Sequence, residues 1–374
     1  MIRNFKRTAV ALGIVAVSSA TLAACGGSED GSSSSSSSAS KSTGSSSSAS
    51  SSELTGQTGQ LVAEGATSQQ NAMDYFASRY SEEVPGANLA YNATGSGNGV
   101  KNFIANQAAF AGSDSALKDE EATQAAARCG GNEAWNLPFV IGPVAIAYNL
   151  DGVDNLNLTV DNVVEIFQGK IKKWNDPAIA AANPGVSLPD EDISVIYRSD
   201  ESGTSDNFQK FLAAASDGKW EGSGKAFPSA VGAGANGSTG VSEQVNSTPG
   251  AITYVEAGFA EHKAKIDFGN GPVELNADTV GNAINGMTFK TEGHNMVVDS
   301  AALFANDAAN TYPLVLTTYE IVCSKGYDET TRNMVKDFLT VALDSQDSEL
   351  EDAGFIPVTG AHADRLREAI KAIS

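Results

Sequence analysis

One pattern recurs along this chain and restricts its fold more than any other feature: a short apolar strand, a turn of small residues, then a helix. Leu61-Val62-Ala63 runs into Glu64-Gly65-Ala66-Thr67-Ser68, after which Ala72, Tyr75, Phe76 and Tyr80 recur at helical spacing. Leu89-Ala90-Tyr91 leads to Gly95-Ser96-Gly97-Asn98-Gly99 and a helix carrying Val100, Phe103 and Ile104. Val195-Ile196-Tyr197 leads to a turn with Arg198, Ser202, Gly203 and Thr204, then to Phe208, Phe211 and Leu212. Ser202 or Thr204 is a good N-cap for that third helix. Strands alternating with helices predict an α/β architecture with helices on both sheet faces.

Each such turn delivers a helix N-terminus, where unpaired backbone N–H groups carry a partial positive charge. In the third turn Gly203 allows close backbone approach, the hydroxyls add donors, and Arg198 offers a planar fork matched to an oxyanion. The pattern points to a site for a tetrahedral anion. The plainer alternative is ordinary capping, with Arg198 paired to Asp200 on the surface. The Gly95–Gly99 run misses the spacing of a dinucleotide fingerprint, and no G-K-[ST] follows to make a Walker loop. Phe110-Ala111-Gly112-Ser113-Asp114 ends an apolar strand on a carboxylate, whose default reading is the N-cap of the next helix.

The first 24 residues stand apart from this fold. Arg3, Lys6 and Arg7 precede an apolar run from Ala9 to Val17 and a small-residue cleavage site, the pattern of a secretory signal. That run is too short to span a bilayer, and nothing later is apolar for long enough. Leu22-Ala23-Ala24-Cys25 resembles a bacterial lipoprotein box, which implies cleavage before Cys25 and lipid on its sulfur; a plain secretory signal is the alternative. Residues 25–53, nearly all serine after Cys25, cannot bury a core and form a tether.

Without the signal, 45 acidic residues face 21 basic ones, a net of −24. Such a charge argues against nucleic acid or anionic membrane as a partner. It slows anion capture without preventing it, because a buried site feels its own dipoles and arginine more than screened surface charge. Cys129 and Cys323 remain, and two cysteines in an exported chain suggest one disulfide. Each lies near an apolar run, and in a chain long enough for two domains we expect the bond near their junction, where it would steady a hinge. Cys129, Cys323, His262, His294 and His362 supply no metal-ligand spacing.

Further along, Leu137 to Leu150 is the most apolar run, and Pro143 within it predicts two strands or a bent crossing segment. A helix beginning in Val163–Phe167 ends at Gly169. Gly218 to Gly240 reads as a long loop, Gly240 to Val245 as a helix start, and Ala251 to Val255 as a strand. Pro313 to Cys323 is a second apolar strand run, with helices to the C-terminus.

These motifs occur in a known order: G-A-T-S (65–68), Y-N-A-T-G-S-G-N-G-V (91–100), F-A-G-S-D (110–114), G-K-I-K-K-W-N-D-P-A-I (169–179), N-P-G-V-S-L-P-D (183–190), R-S-D-E-S-G-T-S (198–205), P-G-A-I-T-Y-V-E (249–256) and Y-P-L (312–314). The chain resembles the phosphate-binding lipoproteins of bacterial ABC phosphate importers over nearly everything after Leu61. The resemblance implies a two-lobed solute-binding fold of the type II periplasmic-binding-protein kind, with inorganic phosphate in the cleft between lobes. It implies lobe I from residues 54–140 and 312–374, and lobe II from residues 141–311. It assigns the ligand to Thr67, Ser68, Ser96, Asp114, Arg198, Ser202, Gly203 and Thr204, with Asp200 orienting Arg198. No metal or cofactor is implied. The expected partners are phosphate, a membrane permease and, through Cys25, the outer face of the cell membrane; the protein itself is expected to be a monomer. Ser68 stands where many relatives carry phenylalanine, and Ala109 where many carry aspartate.

A carboxylate at position 114 would repel an anion unless that anion carries a proton to donate. Phosphate near neutral pH does, and sulfate does not, so a buried unpaired carboxylate rejects the wrong ligand by roughly 10⁴-fold. Three rivals are a secreted serine hydrolase or phosphatase using Ser202, an acidic adhesin or scaffold, and a binder of another oxyanion. The first lacks a G-x-S-x-G elbow and a recognisable catalytic histidine. The second needs neither Asp114 nor glycine-rich helix starts.

Overall fold

The computed structural model describes residues 54–374; the leader, Cys25 and the serine tether lie outside the described residues. In chain order the strands are β1 (Gly59–Gly65), β2 (Ala87–Ala93), β3 (Phe110–Ser113), β4 (Ala134–Asn149), β5 (Asn157–Thr159) and β6 (Ser194–Arg198). They continue as β7 (Ala233–Ala235), β8 (Ala251–Glu256), β9 (Lys265–Asp267), β10 (Pro272–Val273) and β11 (Val315–Cys323). Eight of them form one sheet in the order β2-β1-β3-β11-β4-β8-β6-β7, and β10-β9-β5 form a small second one. β1, β2 and β3 run parallel, as do β8, β6 and β7, while β11 and β4 are antiparallel to their neighbours.

Of the two readings at Pro143, the chain does not divide into two strands there but crosses as one segment. β4 is continuous over 16 residues, nearly all buried, and it changes partner instead. Its first part pairs with β11 as far as Pro143↔Val315, and from Val144 onward it pairs with β8. A proline lacks the N–H a ladder needs, so the handover falls where losing one donor costs least. Opposite Pro138 the ladder slips by one residue between Thr318 and Tyr319. On its other side β11 pairs Tyr319 with Ser113 of β3, which sets Thr318 opposite Asp114, as described below.

The two strand–turn–helix units at the start hold. The helix α1 (Gln70–Glu83) buries Ala72, Phe76 and Tyr80, and α2 (Ser96–Ile104) buries Val100 and Phe103. A third helix runs Gly203–Ala215 with Ser202 as its N-cap, and Phe208, Phe211 and Leu212 face the core. The glycine-rich stretch corrects the loop reading: Ala233–Ala235 is an edge strand, and the following helix starts at Gly237, not Gly240. Bulky side chains are scarce there, so the strand carries little apolar signal.

Cys129 and Cys323 are bonded, with Cα atoms 5.4 Å apart. Their position corrects the hinge expectation. Cys323 ends β11 opposite Ala134, whereas the change of partner lies at the other end of that strand, at Val315. The bond clips the end of the helix Asp119–Arg128 to the sheet. No helix among the described residues is long and apolar enough to cross a membrane.

Candidate functional site

Four helix N-termini converge at the carboxyl ends of the parallel strands: those of α1, α2, Gly203–Ala215 and Gly237–Ser247. The turns before them place Thr67, Ser68, Ser96, Arg198, Ser202, Gly203 and Thr204 together, all buried, with Asp114 among them. Ser96 Oγ accepts from the N–H of Asp114 and from the N–H of Gly203, each at 3.2 Å. It therefore joins the second turn to the third. A Cβ at Gly203 would lie 2.6 Å from Asp114 Cβ and from Ser96 Oγ, so only glycine allows this approach.

Arg198 and Asp200 do pair, but not on the surface. Arg198 Nε and Nη2 donate to Asp200 Oδ1 and Oδ2 at 2.8 and 2.6 Å, with side chains 2% and 7% exposed. Burial works against the guanidinium charge, yet the Asp200 hydrogen bonds and charge outweigh it and hold Arg198 protonated. Burial likewise raises Asp200, and the bonds and charge of Arg198, with the Gly237 N–H, bring it below the usual carboxylate range. The fork's remaining nitrogen, Nη1, donates to Thr204 Oγ1 at 3.4 Å and Ser238 Oγ at 3.3 Å.

Asp114 is not a helix cap: the next helix begins at Asp119 behind Lys118. Its Oδ1 accepts from Ser68 Oγ at 2.6 Å and from Thr318 Oγ1 at 2.8 Å, and its Oδ2 lies 3.3 Å from Thr204 Oγ1. Burial and then the charge of Glu256 push the carboxyl up to about 6, against the hydroxyl bonds and Arg198. At neutral pH it is an ionised acceptor. Ser68 thus contributes its hydroxyl to holding Asp114. Ser202 Oγ caps its helix by accepting from the Ser205 N–H at 3.2 Å, with its own hydrogen still to donate.

Sequence reasoning missed Ser238, Glu256 and Thr318. Ser238 Oγ donates to Glu256 Oε2 at 2.8 Å, Thr204 Oγ1 donates to Glu256 Oε1 at 2.6 Å, and the Ser238 N–H donates to Thr67 Oγ1 at 3.0 Å. Only part of the signal for Ser238 was present: small residues from Gly234 to Thr239 lead into a helix that buries Val241 and Val245, with no apolar strand before them. The assembly offers helix N–H groups, hydroxyls and one arginine, with carboxylates facing them. Such a set suits an oxyanion that brings its own proton. Among the described residues no group of three or more His, Cys, Asp and Glu is placed to hold a metal.

Residues 45–346 match the family model of the PBP superfamily domain. The chain is 41% identical to the phosphate-binding protein PstS 3 of Mycobacterium tuberculosis (strain H37Rv) over 99% of this chain and all of that one. Against PstS 2 of the same strain the identity is 42%, again over 99% and 100%. Among solved structures, a phosphate-binding protein from Stenotrophomonas maltophilia shares the fold at a TM-score of 0.63 and 24% identity, over 83% of this chain and 93% of that one. A phosphate ABC transporter substrate-binding protein from Clostridium perfringens does so at 0.58 and 18%, over 80% and 100%. The chain belongs to the PBP superfamily, and within it to the family of the PstS phosphate-binding proteins.

Proposed function

We propose that this protein binds inorganic phosphate outside the cytoplasmic membrane and delivers it to the permease of an ABC importer. The ligand lies among Thr67, Ser68, Ser96, Asp114, Arg198, Ser202, Gly203 and Thr204, with Ser238 holding Thr67 Oγ1 through its N–H. The observation that carries the reading is Asp114: a carboxyl group buried among Arg198 and the helix N-termini that would hold an anion. A site of that kind admits an anion only as a proton donor, which phosphate is near neutral pH. The names of the relatives, phosphate-binding protein in each case, favour the same ligand.

In this reading lobe I is residues 54–140 with 312–374, and lobe II is residues 141–311. The handover of β4 from β11 to β8 at Pro143 supports that division. Cys25 is the lipidated N-terminus of a monomer tethered to the membrane by the serine-rich segment. Calorimetric titration with phosphate and then sulfate tests the central claim. Tight phosphate binding with sulfate weaker by orders of magnitude is expected, and equal affinity for both would overturn it.

A further inference from the structure

Behind the turn that follows β1 lies a polar cluster to which phosphate binding gives no role. Glu320, on β11, is fully buried, and neither carboxyl oxygen has a hydrogen-bond partner among the described residues. Its neighbour across the ladder is Gly112 of β3. Directly opposed residues of an antiparallel pair leave the sheet on the same face. A Cβ at Gly112 would fall 2.2 Å from Gln69 Nε2 and 2.4 Å from the Tyr91 hydroxyl oxygen. Glu320 therefore emerges beside the Gln69 amide and the Tyr91 hydroxyl.

The hydrogens of this cluster can be assigned by counting. Tyr91 donates its single hydroxyl hydrogen to Ala66 O at 2.8 Å, so it accepts from Gln69 Nε2 at 3.1 Å. That orientation leaves Gln69 Oε1 a buried acceptor without a donor. The second Gln69 Nε2–H can serve one Glu320 oxygen, but a charged Glu320 has no hydrogen for Gln69 Oε1, and each buried unsatisfied group is costly.

We propose that Glu320 is a positioning residue for the anion site, present as a neutral carboxylic acid whose O–H donates to Gln69 Oε1. The chain of bonds then runs from Glu320 through Gln69 and Tyr91 to Ala66 O, and fastens the turn that carries Thr67 and Ser68. It also keeps a second negative charge from the rear of Asp114. The groups facing Glu320 agree. Gln69 comes from the start of α1, Tyr91 from β2 and Asp114 from the end of β3, while Glu64 of β1 acts on Tyr91. Burial pushes the Glu320 carboxyl up to about 8; the Gln69 amide opposes this and the Asp114 charge adds to it. Tyr91 is held well above its usual range, by burial first and the charge of Glu320 second. The acid is thus neutral under neutral conditions and ionises in mild alkali, where its charge works against a bound anion.

The inference rests on the phosphate reading and is tested apart from it with Glu320→Gln in the full chain. Glutamine keeps the shape and an N–H for Gln69 Oε1 but cannot ionise. Near pH 7 the variant should bind phosphate within about threefold of the wild type. Between about pH 7 and about pH 9.5 the wild type should weaken about tenfold more than the variant, the effect of one nearby charge of low screening. Parallel pH profiles would overturn the proposal while leaving phosphate binding intact. If the wild type binds no phosphate, or the variant does not fold, infrared titration of the wild type decides. A protonated-carboxyl carbonyl band present at neutral pH and lost in mild alkali supports a neutral Glu320, and its absence at neutral pH overturns it.

Discussion

Asp114 and Glu256, two buried carboxylates, share one hydroxyl: Thr204 Oγ1 lies 2.6 Å from Glu256 Oε1 and 3.3 Å from Asp114 Oδ2. A hydroxyl has a single hydrogen to give, and the shorter distance assigns it to Glu256. Asp114 Oδ2 is consequently the carboxylate oxygen with acceptor capacity left for a ligand proton. Removing the acceptor at position 114 and removing the arginine opposite it should then have different consequences. Arg198→Ala is expected to lose charged hydrogen bonds worth about 3 kcal/mol, roughly a hundredfold, for phosphate and sulfate alike. Asp114→Asn should weaken phosphate while sulfate gains, because the acceptor and the repulsion vanish together. Competition titrations with both anions check this; an equal loss of both in Asp114→Asn would sink the proton-reading role.

Glu256 is expected to set the acid limit of binding. The Asp114 carboxyl is raised to about 6 from an ordinary 3.8 by burial first and Glu256 second. Below that value Asp114 is protonated and no longer accepts, so phosphate affinity should fall as pH drops through about 6. Glu256→Gln removes one of the two raising causes and should move the midpoint lower. The sign for stability is opposite. A carboxyl raised on folding favours the ligand-free fold below 3.8, and that contribution is lost as pH rises through about 6. Paired titrations of affinity and melting temperature across this window should therefore slope in opposing directions for this group.

Gly112→Ala should damage the site from behind. The added methyl would meet the Gln69 amide and the Tyr91 hydroxyl well inside contact distance, and overpacking of this kind costs about 1–3 kcal/mol. Urea unfolding should show that loss, together with weaker phosphate binding as the turn after β1 is displaced. Unchanged stability and affinity would mean that the cluster yields freely.

The Cys129–Cys323 bond closes a loop spanning 194 positions, and losing such a crosslink typically costs about 2–5 kcal/mol. Replacing both cysteines by serine should lower the melting temperature accordingly while leaving phosphate affinity within about twofold. The reason is position: the bond ties β11 to a helix end away from where β4 changes partner. A large loss of affinity without a loss of stability would return the bond to a hinge role.

The helix-start turns were legible because their chemistry is local. A strand, a few small hydroxyl residues and a capped helix announce themselves within about ten residues, so the turns carrying Thr67, Ser96, Ser202 and Gly203 could be located before any fold, while the resemblance assigned Thr67 and Ser96 to the ligand. Glu256, Thr318 and Glu320 could not, because what they face is decided by sheet register. Thr318 reaches Asp114 through the β11–β3 register, which pairs Tyr319 with Ser113. A hint existed: Val315 to Cys323 is buried throughout and still carries Thr317, Thr318 and Glu320. Polar side chains in a fully buried strand require partners, although sequence alone does not say which. Ser238 was hidden for another reason, since a strand of Ala233, Gly234 and Ala235 has almost no apolar side chain to reveal it.

β11 also governs the order in which the molecule can be finished. It is the last strand of the chain, yet it is inserted between β3 and β4 rather than added at an edge. Until Val315 to Cys323 emerges, β2-β1-β3 has no ladder to β4, and the sheet stays in two pieces however much of the chain has been synthesised. Assembly that waits on such a distant segment is slow and late. A growing chain is thereby held short of its compact form until almost its whole length is available, the state in which a polypeptide can still be threaded through a narrow pore.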